Sequence, residues 1–338
     1  MSLPQDRDQF ADERELRADV HAAVERALNR TLEGRDRKGT NVELEKLAFL
    51  VIDEFDLELT YSWYIAGACT ATGRSSTDRQ GPDGPSGPSL TDDRTRVDFG
   101  DVTAEIDDDR TQKFTNYLAS ETLFDDYELR DVWYTGRHEF LSDFYEACAP
   151  ERYTDAYLAA TEIRRHLKAL ADDDQTNNRS LLEYTSGEQP LLDDETEEAF
   201  RLSVSDLHLA LARDDDLSET TAVVTEGTDL IERTLDRLTR VEPTAGEERD
   251  LIEELSEFFF FYVWRLPALV ISIQTATGPN AGELRVREAR ELDGFPETVR
   301  RRRDDLAEHL HDARLLPTLE EDKGSDIGLS YEMSLTED

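Results

Sequence analysis

The chain has 338 residues, with 78 Asp and Glu against 38 Lys and Arg, and its formal net charge at pH 7 is −40. The acidic residues are spread over the whole chain, which excludes a localised nucleic-acid mimic or a single solvating tail. Only five of the basic residues are lysines. We therefore predict the cytoplasmic protein of a halophile, which would lose structure in low salt because charge repulsion is screened only when the Debye length falls to about 3 Å. A melting curve that is the same in dilute buffer and in molar KCl would contradict this prediction.

The first half of the chain, residues 1–150, is predicted to be a helical module rich in aromatic residues. Apolar residues recur at helical spacing in residues 8–32 and again from Leu44 to Phe55. A short helix over 61–67, a mobile Gly/Pro/Ser-rich loop over 72–93 and a β-ribbon over 94–106 follow. Further helices are predicted over residues 112–119, 121–134 and 139–148.

The second half, residues 151–319, reads as an antiparallel helical bundle, because five apolar stripes at helical spacing are joined by polar links. The longest apolar run, Phe258 to Ile273, has sixteen residues and is interrupted by Arg265 and Pro267. A membrane span needs about 20 apolar residues, so this run predicts a buried helix kinked by the proline, and no membrane association. Residues 320–338 are predicted to be a disordered tail. The fold class is thus mainly α, with a minor β-ribbon.

Residues 43–67 carry a resemblance to a known family. The segments "ELEKLAFLVIDEF" and "LTYSWYIAGA" look like the start of the Panacea, or SocA-like, antitoxin family. There a lysine–leucine pair, here Lys46 and Leu47, precedes an aromatic segment that ends near a glycine, here Trp63, Tyr64 and Gly67. The chain departs from the pattern at residue 68, where the family commonly has proline. The resemblance implies a regulatory protein that acts by binding another protein, as an antitoxin or adaptor.

The same segment provides the predicted partner-binding residues, Lys46, Trp63, Tyr64 and Arg74. Trp and Tyr are frequent interface anchors, and these two precede a predicted mobile loop that contains Arg74. The alternative is purely structural, with Trp63 and Tyr64 packed on the apolar face of the preceding helix and Gly67 ending a helix.

Three arginines are candidate anion-binding residues. Arg265 interrupts the apolar run, and Arg300 and Arg303 belong to "VRRRRDDL", the densest positive charge in the chain. The alternative is that neighbouring carboxylates pair with them, because four consecutive arginines on a helix point in all directions. Nucleic acid is not an expected partner, since a basic stripe is missing and the overall charge repels phosphate.

Catalytic and cofactor-binding motifs are missing from the sequence, which contains no phosphate loop, nucleophile elbow or zinc-protease motif. Cys69 and Cys148 are too far apart in sequence to suggest a metal site. We predict a non-enzymatic, protein-binding regulator without catalytic, metal or cofactor residues, and no feature predicts its oligomeric state. Two alternatives remain open: a winged-helix DNA-binding regulator, with 94–106 as the wing, and a metal-dependent enzyme with an acidic site on a helical bundle.

Overall fold

The structure, a computed structural model, describes residues 13–31, 41–70, 107–120, 122–125, 127–171, 194–238, 247–313 and 315–316. Within these ranges the fold is mainly α, as predicted. The predicted loop 72–93 with Arg74, the ribbon 94–106 and the tail 320–338 lie outside the described residues.

The helices and strands follow one another along the chain in a simple order. The first part contains α1 (Arg14–Thr31), α2 (Asn41–Glu54), β1 (Tyr61–Tyr64), β2 (Gly67–Thr70), α3 (Asp108–Ser120), α4 (Asp131–Tyr134) and α5 (Arg137–Cys148). The second part contains α6 (Thr154–Ala171), α7 (Asp194–Arg213), a 3₁₀ turn (Ser218–Thr220), α8 (Thr221–Leu238), α9 (Glu247–Phe258), a π-helical turn (Phe259–Val263), α10 (Arg265–Thr275) and α11 (Ala281–Asp312).

The predicted helix over 61–67 is wrong, because this segment forms a β-hairpin. β1 pairs antiparallel with β2, from Tyr61 opposite Thr70 to Tyr64 opposite Gly67. Aromatic side chains are favoured in strands, and Gly67 takes a left-handed φ of 84° where the chain turns back. In the described part of the chain after α2, residues 57–70 contain no helix, so the second helix of the proposed winged-helix motif is missing there.

The hairpin lies at the centre of the molecule and joins its two halves. The Ser62 hydroxyl is 3.1 Å from that of Ser272, and the Trp63 backbone N–H donates to the Thr275 hydroxyl over 2.9 Å, both on α10. Tyr61 also forms an antiparallel bridge with Thr277. These polar contacts leave few backbone groups of β1 unpaired, which fixes the hairpin against the second half of the chain.

One apolar core runs through both halves. A single cluster of buried side chains extends from Val20 on α1 to Leu315 after α11. The predicted domain division at residue 150 falls between α5 and α6, whose side chains both belong to this cluster.

Among the described residues of 121–134, the predicted helix is present only in its last turn, α4. Before it, Phe124 and Tyr127 form an isolated antiparallel bridge, and Asp125 adopts a left-handed φ of 43°. Aspartate tolerates this conformation better than most residues, and one such residue is enough to interrupt a helix.

The long apolar run is interrupted by the π-helical turn Phe259–Val263. The Trp264 N–H donates to the Phe259 carbonyl over 2.8 Å, one residue further back than in an α-helix. Pro267, which has no N–H to donate, then falls in the first turn of α10, where it is tolerated. The stretch Asp250–Thr275 is long and apolar enough to cross a membrane, but 67% of its most apolar window is buried inside the protein, as in the core helix of a soluble protein.

Candidate functional site

Trp63 and Tyr64 lie in the core, which corrects the prediction that they anchor a partner. Their exposed fractions are 4% and 3%. The Trp63 ring packs edge-on against Phe49 of α2 at 5.5 Å, is stacked on Phe144 of α5 at 5.8 Å, and meets Tyr157 of α6 at 5.6 Å. Trp63 packs on the helix that contains Leu44, as the structural alternative predicts, but Gly67 begins β2 and ends no helix.

Lys46 is also inaccessible, with an exposed fraction of 1%. Its ammonium donates to the Ala68 carbonyl over 2.7 Å and lies 5.7 Å from the centre of the Phe144 ring. Burial lowers the pKa of Lys46 to about 8, and the charge of Arg137 adds to the effect. The side chain therefore holds β2 against α2 and does not reach a partner surface.

The three arginines predicted to bind anions are paired with carboxylates of the chain itself. Arg265 lies 2.5 Å from Glu291. Arg300 and Arg303 share Glu226, at 3.2 and 2.7 Å. These ion pairs match the alternative stated from the sequence, in which neighbouring carboxylates pair with the arginines. The positive charge of these arginines is therefore already neutralised within the protein.

The part of the chain that the structure describes contains no candidate metal site. No group of three or more His, Cys, Asp or Glu side chains there could hold a metal ion. Cys69 and Cys148 are not joined by a disulfide.

A narrow pocket lies where the turn of the hairpin meets α5, α6 and the π-helical turn. We call it the arginine pocket, after Arg164. Its empty volume is about 290 Å³, which includes the part open to solvent, and its enclosed part has room for about one water molecule. The lining residues are Ile65, Ala66, His138, Leu141, Tyr145, Tyr157, Ala160, Thr161, Arg164, Phe260 and Trp264.

Arg164 is the main polar feature of this pocket. Its exposed fraction is 3%, and its guanidinium carbon lies 3.8 Å from the centre of the Phe260 ring, in a close cation–π contact. Among the described residues, neither Nε nor Nη2 of Arg164 has a hydrogen-bond partner. Burying a charged donor without a partner costs several kcal/mol, so these two N–H groups are a strong attraction for an anion.

The charged side chains that shift the pKa of His138, the histidine of this pocket, are all positive. Burial, and then the charges of Arg164, Lys168, Arg137 and Arg165, lower the pKa of His138 to about 3. Burial and the charge of Arg137 also lower the pKa of Arg164. His138 is therefore a neutral imidazole near pH 7, in a positive region of a strongly acidic protein.

The walls of the arginine pocket are fixed by hydrogen bonds to the hairpin turn. The Tyr157 hydroxyl donates to the Tyr64 carbonyl over 2.7 Å, and the Trp264 indole N–H donates to the Ile65 carbonyl over 2.7 Å. The π-helical turn immediately precedes Trp264 and contains Phe260. Extra residues of this kind in a helix are frequent at functional sites.

Arg164 is not among the residues predicted from the sequence, although the sequence contains a signal for it. The apolar stripe of α6 runs through Tyr157, Ala160 and Leu167, and Arg164 stands at the position between Ala160 and Leu167 that shares this face. A charged residue inside an apolar stripe is more informative than a run of charges on a surface, because charged side chains are seldom fully buried.

Comparison with known proteins places the chain in a family without assigning an activity. No curated protein and no solved structure matches the sequence. A family model described as "Domain of unknown function (DUF8098)" matches residues 6–332, and the chain therefore belongs to that family.

Proposed function

We propose that this protein is a non-enzymatic regulatory module that binds another protein, and that the partner places an acidic group in the arginine pocket. The single observation that supports this proposal is the buried guanidinium of Arg164, whose Nε and Nη2 atoms lack a partner among the described residues. A buried cation that faces a partly open pocket favours an anion from outside the fold.

The pocket is suited to recognition because its geometry is already fixed. Arg164 is held on Phe260, and the neighbouring lining residues Tyr157 and Trp264 are tied to the hairpin by hydrogen bonds. Little ordering is therefore needed when a ligand binds, which reduces the entropic cost of association.

Three finer parts of the proposal come from the sequence. The antitoxin- or adaptor-like role follows from the resemblance of residues 43–67 to the Panacea family. The halophilic origin and the cytoplasmic location follow from the charge of −40. Because Trp63 and Tyr64 are buried, we now assign partner contact to the arginine pocket.

A pull-down from native lysate in molar KCl tests the proposal. The baits are the intact chain, Arg164→Met and the control Arg165→Met, which changes the adjacent, exposed arginine that pairs with Glu162. Methionine keeps the length and much of the apolar contact of the replaced side chain, and removes its charge. We expect one protein to be retained by the intact chain and by Arg165→Met, and to be lost with Arg164→Met.

The proposal fails if Arg164→Met folds normally, as judged by its melting curve, and retains every protein that the intact chain retains. It also fails if Arg165→Met loses the same protein to the same extent, because the effect would then reflect general surface charge.

A further inference from the structure

We infer that the group bound in the arginine pocket is a carboxylate. This inference rests on the proposed function, because both use the unpartnered N–H groups of Arg164. It goes further by choosing the chemical class of the ligand among the anions that a guanidinium can bind.

The first argument is the arrangement of the two donors. Nε and Nη2, the two Arg164 atoms without a partner among the described residues, form one edge of the planar guanidinium. Their N–H groups point in parallel, at a spacing that matches the two oxygens of a carboxylate. A single halide ion can meet the same edge, but it cannot give each N–H its own aligned acceptor.

The second argument is the small number of other donors around the site. The Tyr157 hydroxyl and the Trp264 indole N–H already donate to the hairpin. Nδ1 of His138 is buried and has no partner in the described residues. The hydroxyls of Tyr145 and Thr161 are the other side-chain donors in the described lining, and both are neutral groups. A phosphate has further charged oxygens, which would meet apolar walls such as Leu141 and Phe260 and remain without hydrogen bonds.

The third argument is the size and the lining of the pocket. The enclosed part of the pocket has room for about one water molecule, so one carboxylate oxygen can take the place of that water while the rest of the group lies toward the solvent-open part. The aromatic and aliphatic walls suit the hydrocarbon part of the same ligand. Two sources present such a group: a small free carboxylic acid, and an Asp or Glu side chain of the partner protein.

The experiment measures the melting temperature of the intact chain in molar KCl with rising concentrations of potassium acetate. Acetamide, which has the same shape without the charge, and inorganic phosphate are titrated in parallel. We expect a saturable rise with acetate for the intact chain and for the control Arg165→Met. The apparent affinity for acetate should be weaker by about thirtyfold or more in Arg164→Met, which loses the charge-assisted bonds.

Acetate also distinguishes the two sources when it is added to the captured complex. Once the melting titration has shown that acetate binds through Arg164, release of the partner by acetate indicates a side-chain carboxylate. Retention then indicates a free acid that binds beside the partner, which supports the inference and overturns the part of the proposed function in which the partner fills the pocket.

The inference is overturned if phosphate raises the melting temperature at lower concentrations than acetate, if acetamide matches acetate, or if Arg164→Met responds to acetate like the intact chain. Its failure can be separated from that of the proposed function. Saturable acetate binding without any Arg164-dependent protein overturns the proposed function alone. An Arg164-dependent protein together with a preference for phosphate overturns the carboxylate alone.

Discussion

Arginine side chains occur in two contrasting settings in this protein. Arg164 is buried, whereas Arg300 and Arg303 are partly exposed. The pair lies on α11 at half-exposed positions and shares the carboxylate of Glu226. Arg164 is buried on α6, stacked on Phe260, and two of its donors have no partner among the described residues. The positive charge of Arg300 and Arg303 is neutralised within the fold, whereas we propose that the charge of Arg164 is available to an external anion. Burial and pairing, and not the local density of charge, locate the candidate site.

The largest expected effect concerns the buried core that surrounds the arginine pocket, and it is tested at Trp63. Trp63→Ala removes a core ring that packs against Phe49, Phe144 and Tyr157, so we expect the free energy of unfolding to fall by about 3–5 kcal/mol. Denaturant unfolding in molar KCl measures it. The control Tyr134→Ala, at an exposed position, should change stability by less than about 0.5 kcal/mol. A small loss of stability in Trp63→Ala would show that Trp63 is not a core residue, and Trp63 would again be a candidate for partner contact.

The second effect is a pH dependence that comes from His138. Its pKa is about 3 in the folded protein and about 6.5 in the unfolded chain. Below about pH 6.5 the unfolded chain takes up a proton that the folded chain does not. The contribution of the neutral, buried His138 to the free energy of unfolding is therefore complete above pH 6.5. It is lost as the pH falls towards 3, by up to about 1.4 kcal/mol per pH unit.

The measurement is the difference in the free energy of unfolding between the intact chain and His138→Gln, followed from pH 7 to pH 5 in molar KCl. Taking the difference removes the contribution of the carboxylates common to both proteins. We expect the advantage of the variant to grow as the pH falls. A difference that is constant over this range would show that His138 titrates alike in both states.

The third effect has the opposite sign and concerns Arg164 itself. Arg164→Met removes a buried charge without breaking a described hydrogen bond, and it keeps apolar contact with Phe260. We expect the free energy of unfolding to stay the same or to rise by about 1–2 kcal/mol when no ligand is added. Denaturant unfolding checks this value. A loss of about 3 kcal/mol would contradict the account, because it would show that Arg164 supports the fold through a partner.

The smallest effect tests the exposed side of the comparison. Arg303→Met breaks a half-exposed ion pair with Glu226, which should cost about 0.2–1 kcal/mol in dilute buffer and less in molar salt. Thermal melting at two KCl concentrations measures it. A loss that persists undiminished in molar KCl would show that this pair is a tightly packed structural element.

Much of the fold follows from periodicity in the sequence. The stripes predicted α1 and the helical character of the second half. The kink predicted at Pro267 is not the distortion observed, because the helix is interrupted earlier, by the π-helical turn Phe259–Val263, and Pro267 lies in the first turn of α10. The hairpin was mistaken for a helix because each strand has only four residues. In so short a segment, the alternation of a strand cannot be distinguished from one helical turn.

The candidate site was harder to predict, because it depends on contacts between distant segments. His138, Arg164 and Phe260 come from three elements, and no local pattern shows that they line one pocket. The aromatic pair Trp63 and Tyr64 misled for a related reason. Aromatic residues are typical of interfaces and of cores alike, and only the packing of α5, α6 and α10 around the hairpin decides between the two.

The most direct test of the central claim is to follow the arginine Nε–H resonances of the intact chain by NMR while acetate is added in molar KCl. The account predicts that the Arg164 signal shifts in a saturable way while the signal of Arg303, which is paired with Glu226, stays in place. If the Arg164 signal does not move, or if both signals move in parallel, the arginine pocket does not bind a carboxylate.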